Sequence, residues 1–597
     1  MPGATDVFTF NGKTAQWGVG TTFTLTVRDA EAGVAETFPI EIVPTAFSIE
    51  YVAFLSDSES ALSPDTAVVH VSNGSESAVK LKALRLYAPG TGGMSFLRAT
   101  DQLETFTPDG VVPAKDWSGF RAHTGALPLV RGLVEVVAEG ADGRPFSLWA
   151  PLMFKRERFD IGSGWLDIPA GQGIVPVTRE SYLKLLRRMH VNLAHIQNIP
   201  GYTDSLGETG LYTRYPLRMM SGFPDVERYN ADEWVARIHG VDCVGELQMD
   251  KTPMQGYEVL RRYDSARYPT TVTLSEDKGF RYFAGLSDYP HFDSYRVSAP
   301  AADSWGMYDR WDGVRPPRAR PPRAAHIGWG APLEGIGEMT RTLHAVSKPA
   351  PIAVWSQNVH EGWQDQFLRK RRSPTPDEIL VQAYEALANG ITSLYWYSLQ
   401  SWSLLKYRDA IDVTTRIGRE IRLLDPFYLS GAAYGHQRIT VGNKPNLDLN
   451  TIVTPQAALL FAIDLDYSPD NEAREFRFRG PRPRTPRPIH ARYGLSGYLR
   501  NPSQVFRVDA GGVHEVTWSV TPEGVEISDQ LDRVAVYVAT RDPQLRERLS
   551  QRLEVLCAEE AQPGFDPAHN ESDFETLFRD LGYQSAEEVS LLPRGAR

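Results

Sequence analysis

The 597-residue sequence predicts a multidomain chain, α/β plus all-β. Its parts are an N-terminal β-sandwich region (1–155), a central (β/α)8 barrel of the TIM type (156–430), a C-terminal β-sandwich (431–541) and a short helical tail (542–597). Length alone calls for several cores rather than one. Two changes of texture place the boundaries. Short strand-like runs give way near Asp160 to apolar strands alternating with amphipathic helices, the pattern of parallel β/α units. Strand texture then returns after Leu429.

The N-terminal runs are "TTFTLTVRDA", "ETFPIEIVP", "TAVVHVSNGS", "VKLKALRLYAP" and "GLVEVVAEGADGRPFSLWAPLMF", punctuated by Asn-Gly, Asp-Gly and Pro-Gly turns. In the middle region strands are read at "IGSGWLDI", "VNLAHIQN", "VDCVGELQMD", "PTTVTLS", "HFDSYRV", "APIAVWSQN" and "ITSLYWYSL". Helices are read at "TRESYLKLLRRMH", "ADEWVARIH", "MQGYEVLRRYDSA", "PLEGIGEMTRTLHAVS", "TPDEILVQAYEALANG" and "RDAIDVTTRIGREIRLLD". A closed barrel needs an eighth strand, which is expected within 205–230. One helix start is sharply marked: Thr375, Pro376 and Glu378 fit an N-cap, a first-turn proline and a capping-box glutamate, and Gly390 marks the end. The C-terminal sandwich is carried by "AALLFAIDLDY", "EFRFRG", "SQVFRVDAGGVHEVTWSV" and "GVEISDQLDRVAVYVAT"; the charged helical tail follows as an appendage.

A net charge of −11 argues against nucleic acid or an anionic membrane as partner. No apolar run reaches the roughly 18 residues of a membrane span. The first residues lack a charged region followed by an apolar core, so no secretory signal is read there. Residence is therefore cytoplasmic, or secreted or periplasmic after removal of a leader. Cys243 and Cys557 lie in unrelated contexts, which indicates neither a disulfide framework nor a cysteine metal site. Phosphate-cradling glycine motifs and a G-x-S-x-G elbow are missing, and His195, His291 and His360 lack metal-ligand spacing. No cofactor and no metal are expected.

Strand alternation picks out one polar, aromatic face in the middle region. It carries Trp165 and Asp167, then His195 and Gln197, then Glu246, Gln248 and Asp250. Asp293 and Tyr295 follow, with Arg296 beside them, then Trp355 and Gln357, and lastly Trp396 and Ser398. These groups gather toward the strands' C-terminal ends, where barrel active sites are built. Six of seven strands carrying such a face is hard to reconcile with a half-exposed sheet, since α/β sheets are covered on both sides. The residues are expected to line a barrel mouth. Carboxylates amid large rings are what glycosidic bond cleavage needs: one acid protonates the leaving oxygen, the other attacks or activates water, and the rings stack on sugars. Glu246, Asp250 and Asp293 are the candidate catalytic acids. Asp167, His195, Gln197, Gln248, Tyr295, Arg296, Trp355, Gln357 and Trp396 are candidates for holding substrate.

On the stretches "RYPTTVTLSED…YFAGLSDYPHFDSYRV" and "PIAVWSQ…SPTPDEILVQAYEALANGITSLYWYSL" the chain resembles the clan-A-like (β/α)8 glycoside hydrolases, over roughly 240–430. The resemblance implies a carbohydrate substrate and an acid/base glutamate ending strand four, which matches Glu246 or Asp250 in "GELQMDKTP". It also implies a nucleophile glutamate ending strand seven. Here "AVWSQNVHEG" offers Gln357, with a carboxylate only at Glu361, so Asp293 stands as the partner acid. Three basic proline-rich patches, 315–323, 369–374 and 477–488, are either solvated polyproline loops or contacts to an anionic glycan. A catalytically silent carbohydrate-binding barrel is the alternative reading, and a polysaccharide lyase with Tyr295 or His195 as base is a third.

Overall fold

In a computed structural model, eight short strands close on themselves in sequence order with every neighbour parallel. They are β1 (Asp160–Ser163), β2 (Leu193–His195), β3 (Arg218–Ser221), β4 (Ile238–Asp242), β5 (Thr270–Leu274), β6 (Tyr289–Asp293), β7 (Ala353–Gln357) and β8 (Ser393–Tyr397). The structure describes residues 22–29, 33–41, 46–55, 65–89, 96–100, 104–105, 110–125, 131–153, 159–163, 179–195, 214–215, 217–221, 238–242, 247, 251–260, 270–275, 279–293, 332–358, 373–397, 399, 401–470, 475–478 and 485–583. The strand expected within 205–230 is β3. Every residue of β5 to β8 is buried, as parallel strands covered on both faces are.

One strand sits elsewhere than the sequence suggested. The described residues of β4 are Ile238–Asp242, of which the first two lie inside the stretch read as the end of a helix. Leu247 lies in a helical turn, its carbonyl accepting the Lys251 N–H at 3.0 Å, so no period-two alternation runs on through it. Ile238 and Val241 supply the β-branched residues, whereas Glu, Leu, Gln and Met after Gly245 are good helix formers.

Five of the six helices read from the sequence follow the strands where the periodicity placed them; of the sixth, 231–239, residues 231–237 lie outside the described residues and 238–239 belong to β4. α1 (Glu180–Arg188) follows β1, α2 (Pro253–Leu260) follows β4, and α3 (Gly335–Ser347) joins β6 to β7. α4 (Pro376–Leu387) joins β7 to β8, and α5 (Asp409–Ser430) follows β8. The connections after β2 and β3 fall largely outside the described residues. α4 shows how local sequence fixes an end. The Thr375 hydroxyl accepts the Glu378 N–H, Glu378 Oε2 accepts the Thr375 N–H at 2.8 Å, and Pro376 occupies the first turn. Thr375→Ala should cost about 1 kcal/mol of stability, read as a shifted denaturation midpoint.

On the N-terminal side two antiparallel sheets share one apolar core. The first contains Phe47–Leu55, Thr66–Asn73 and Asp116–His123; the second contains Val79–Pro89, Arg131–Glu139 and Pro145–Met153. Val52, Val69, Leu84, Leu86, Phe120 and Val134 interleave in that core. On the C-terminal side β9 (Ala432–Val441), β10 (Lys444–Val453) and β11 (Ala457–Asp464) run in a six-stranded sheet completed by Val534–Thr540, Gln504–Asp509 and Gly512–Glu515. A three-stranded sheet covers one of its faces, with Leu449, Leu460, Ile489 and Ile527 between them. The opposite face joins the barrel: Leu459, Phe461 and Val538 belong to one core with Leu183, Ile336, Ile379 and Ile417 of the barrel helices.

The tail is not a loose appendage. α6 (Leu545–Ala561) and α7 (Glu571–Asp580) place Leu549 and Leu577 in that same core. Arg419 of α5 donates through Nε to Glu560 at 2.6 Å, His190 meets the same carboxylate at 2.7 Å, and Arg188 pairs with Asp566 at 2.6 Å. The N-terminal sheet is tied to the end of α5 by Tyr51 Oη donating to the Leu429 carbonyl at 3.2 Å and by His70 Nε2 against the Ser430 carbonyl at 3.0 Å.

Candidate functional site

Register decides which side chains enter the barrel. His291 lies beside Ala353, Asp293 beside Trp355, Trp355 beside Tyr395 and Gln357 beside Tyr397. Leu193, Met220, Tyr289, Ala353, Trp355, Tyr395 and Tyr397 form one buried cluster distinct from the helix-facing core. The inward residues are therefore Tyr289, His291 and Asp293 on β6, Ala353, Trp355 and Gln357 on β7, and Ser393, Tyr395 and Tyr397 on β8.

The N-terminal end of this interior is closed by hydrogen bonds. Tyr289 Oη reaches past the small Ala353 to Thr392 Oγ1 at 2.8 Å and to Ser393 Oγ, and Ser393 Oγ donates to Asp160 Oδ2 at 2.8 Å. Above it lies an aromatic layer. The Tyr395 ring sits 5.0 Å from Trp355 at 40° and 4.9 Å from the His291 imidazole, and His291 meets Tyr289 edge-on at 5.2 Å. Gly162 of β1 makes room for Tyr395, since a Cβ there would stand 2.0 Å from ring Cδ1. At the C-terminal end each strand finishes on a polar or amphipathic group: Asp293 on β6, Gln357 on β7 and Tyr397 on β8. Gln357 is 1% exposed, and neither its Nε2 nor its Oε1 has a hydrogen-bond partner among the described residues. A buried amide without a protein partner costs stability.

The expected site residues fare unequally. Asp293, Trp355 and Gln357 face the interior side by side. His195 is the last residue of β2, at a register position beside Met220, and its side chain lies outside the described residues. Trp396 is a correction. It points outward, fully buried with Leu394 among the barrel helices, and leaves the inner face to Tyr395 and Tyr397. The apolar pair Leu394 and Trp396 against the polar row Ser393, Tyr395, Tyr397 held that signal. Asp167, Gln197, Glu246, Gln248, Asp250, Tyr295 and Arg296 lie outside the described residues, as do Trp165 and Ser398. His291 lies on the same alternation as Asp293, two residues earlier on β6, so the period-two pattern is the signal that finds it.

Of the basic patches, 315–323 lies outside the described residues. In the third, Arg487 is occupied in the fold, donating to Asn446 Oδ1 at 2.9 Å and pairing with Asp464 at 2.8 Å. Among the described residues no three His, Cys, Asp or Glu side chains gather as a metal site, and no helix is long and apolar enough to cross a membrane. Cys557 is an exposed free thiol on α6, and Cys243 lies outside the described residues.

No family model matches this sequence, and no curated protein matches it. Among solved structures it is similar to a family 39 glycoside hydrolase from Bacteroides cellulosilyticus, at 9% identity and a TM-score of 0.33, over 80% of this chain and 97% of that one. It is also similar to a cycloisomaltooligosaccharide glucanotransferase from a Paenibacillus species, at 10% identity and a TM-score of 0.36, over 82% and 99% of the two chains. A β-glucuronidase from Ruminococcus gnavus follows at 10% identity and a TM-score of 0.27, over 59% of this chain and 61% of that one. Likeness at these scores carries no argument about activity.

Proposed function

We propose that this chain is a glycoside hydrolase whose substrate enters the C-terminal mouth of the barrel and is cleaved by a pair of carboxylic acids. The observation that carries the reading is the convergence of Asp293, Gln357 and the Trp355–Tyr395 ring pair on adjacent inward positions of β6 to β8. Asp293 is the base or nucleophile. Glu246 or Asp250, from the segment following β4, is the acid that protonates the leaving oxygen. The amide of Gln357 takes one sugar hydroxyl as acceptor and donor, and Trp355 offers a ring to a sugar face. Such a site needs neither metal nor cofactor.

Gln357 yields a test with two opposite signs. Gln357→Met keeps length and removes both orphan polar atoms, so the free protein should gain about 1–2 kcal/mol of stability. Glycan affinity should fall at the same time, by about tenfold for two lost hydrogen bonds. Trp fluorescence titrated with neutral and acidic oligosaccharides, on wild type and variant, reads the binding; thermal melting reads the stability. If no glycan perturbs the fluorescence of the wild type, the carbohydrate reading fails.

A second reading is favoured by the same residue. Gln357 ends strand seven where the resemblance calls for a glutamate, so the barrel could bind glycans without cleaving them. Glycan binding with no product formed over the whole panel is the outcome that selects it.

A further inference from the structure

Behind the barrel, where α3 and α4 meet the C-terminal sheet, lies a buried polar seam that the candidate site does not use. Glu385 of α4 is fully buried, and neither carboxyl oxygen has a hydrogen-bond partner among the described residues. Its carboxyl lies against the backbone of α3: a Cβ on Gly337 would stand 2.2 Å from Oε2. The other charged groups of the seam are mostly committed elsewhere. Arg438 of β9 forks onto Asp448 of β10 at 2.8 and 2.7 Å, His436 meets the same carboxylate at 3.2 Å, and Arg438 also pairs with Glu338. Arg341 of α3 donates to Asn389 Oδ1 at 2.9 Å, and Tyr467 donates to Glu334. On the sheet side, Asn450 has both side-chain amide atoms unpartnered among the described residues.

We propose that Glu385 is a proton-held latch: α3, α4 and the C-terminal sheet stay closed while its carboxyl carries a proton, and loosen when that proton leaves. A neutral acid in this position leaves polar atoms unpaired, but an anion would be desolvated with no donor on either oxygen and with the Asp448 and Glu334 carboxyls nearby, a far larger penalty that the Arg438 and Arg341 guanidiniums offset only in part. Burial, reinforced by the charge of Asp448, holds the Glu385 carboxyl well above the ordinary carboxylate range, whereas Arg438 and His436 outweigh burial at Asp448 and hold it low. Burial likewise raises Glu334 and lowers Arg341. The Asp448 anion therefore persists, and the proton is kept on Glu385.

The sign of the pH dependence follows. Below the ordinary value of 4.5 folded and unfolded chains both carry the proton, and Glu385 contributes no slope. Above it the unfolded chain releases a proton that the folded chain keeps, so opening becomes easier by up to about tenfold per pH unit. Beyond the folded value both forms are ionised and the dependence flattens.

The test compares wild type with Glu385→Gln and Glu385→Met, which keep length and cannot ionise, by hydrogen exchange of α3 and α4 at matched pH values from 5 to 9. The expected result is a wild-type to variant ratio of opening that climbs with pH, up to about tenfold per unit, while the two variants keep a constant ratio to each other. A ratio independent of pH overturns the proposal. Should neither variant fold, infrared spectroscopy at neutral pH of a chain carrying Glu420→Gln and Glu334→Gln, the other two glutamates among the described residues whose carboxyls burial raises, decides: a protonated carboxyl band that survives both substitutions and is shielded from solvent exchange supports the latch, and no such band overturns it.

Discussion

Replacing Asp293 by Asn should abolish turnover while leaving the fold and substrate affinity nearly intact. Asn matches Asp in shape but cannot take a proton or attack a sugar carbon, and such a group contributes on the order of 10²–10⁴-fold. Asp293 ends β6, buried, with its neighbours fixed by strand pairing to Trp355, so the substitution perturbs charge more than packing. kcat should carry the loss and KM should stay within a few-fold, measured on whichever glycan the binding panel selects. Glu246→Gln and Asp250→Asn, run beside it, identify the partner acid as the one whose loss is comparable. A wild type that cleaves and an Asp293→Asn variant that cleaves equally fast would remove Asp293 from the chemistry. In a silent binder all three substitutions change affinity alone.

Gly162→Ala should destabilise the barrel by about 3 kcal/mol, the upper end of what overpacking a core costs. The new methyl would stand 2.0 Å from Cδ1 of Tyr395 and 2.7 Å from Cε1, distances no pair of carbons tolerates. The ring cannot retreat easily, because Trp355 and His291 flank it at 5.0 and 4.9 Å. Tyr395→Leu in the same background should recover part of the loss, since the clash needs both partners. Equal and additive losses in a double-mutant cycle, read by denaturant unfolding, would show that the contact is not what makes glycine necessary at position 162.

Strand–helix alternation was legible because burying a sheet on both sides forces apolar runs and amphipathic helices, and these persist residue by residue in "APIAVWSQN" and "TPDEILVQAYEALANG". Phase was less secure. A five-residue strand such as β8 offers two interleaved faces: Leu394 beside Trp396 points to the outward one, but a Trp and a Tyr are at home on either, and the neighbours that settle it, Gly162 on one side and Trp355 on the other, are not named by local sequence. β4 was misplaced for a related reason. "VDCVGELQMD" alternates well, but alternation also occurs by chance, and Leu247 within it lies in a helical turn whose carbonyl accepts the Lys251 N–H. Glu385 lay beyond reading altogether. A glutamate on a helix reads as solvent-facing until the sheet that covers it is known.

The single core that runs from the barrel helices through Leu459 and Phe461 to Leu549 and Leu577 changes what a boundary in this chain means. Residue 430 separates two kinds of secondary structure, yet no solvent layer separates the surfaces on either side of it. A barrel severed there would bare a hydrophobic wall, and the released sheet would bare its mirror image, so each piece would be an aggregation hazard rather than a module. Inheritance should therefore treat the barrel, the sheet behind it and the two closing helices as one cassette, gained, duplicated or lost together.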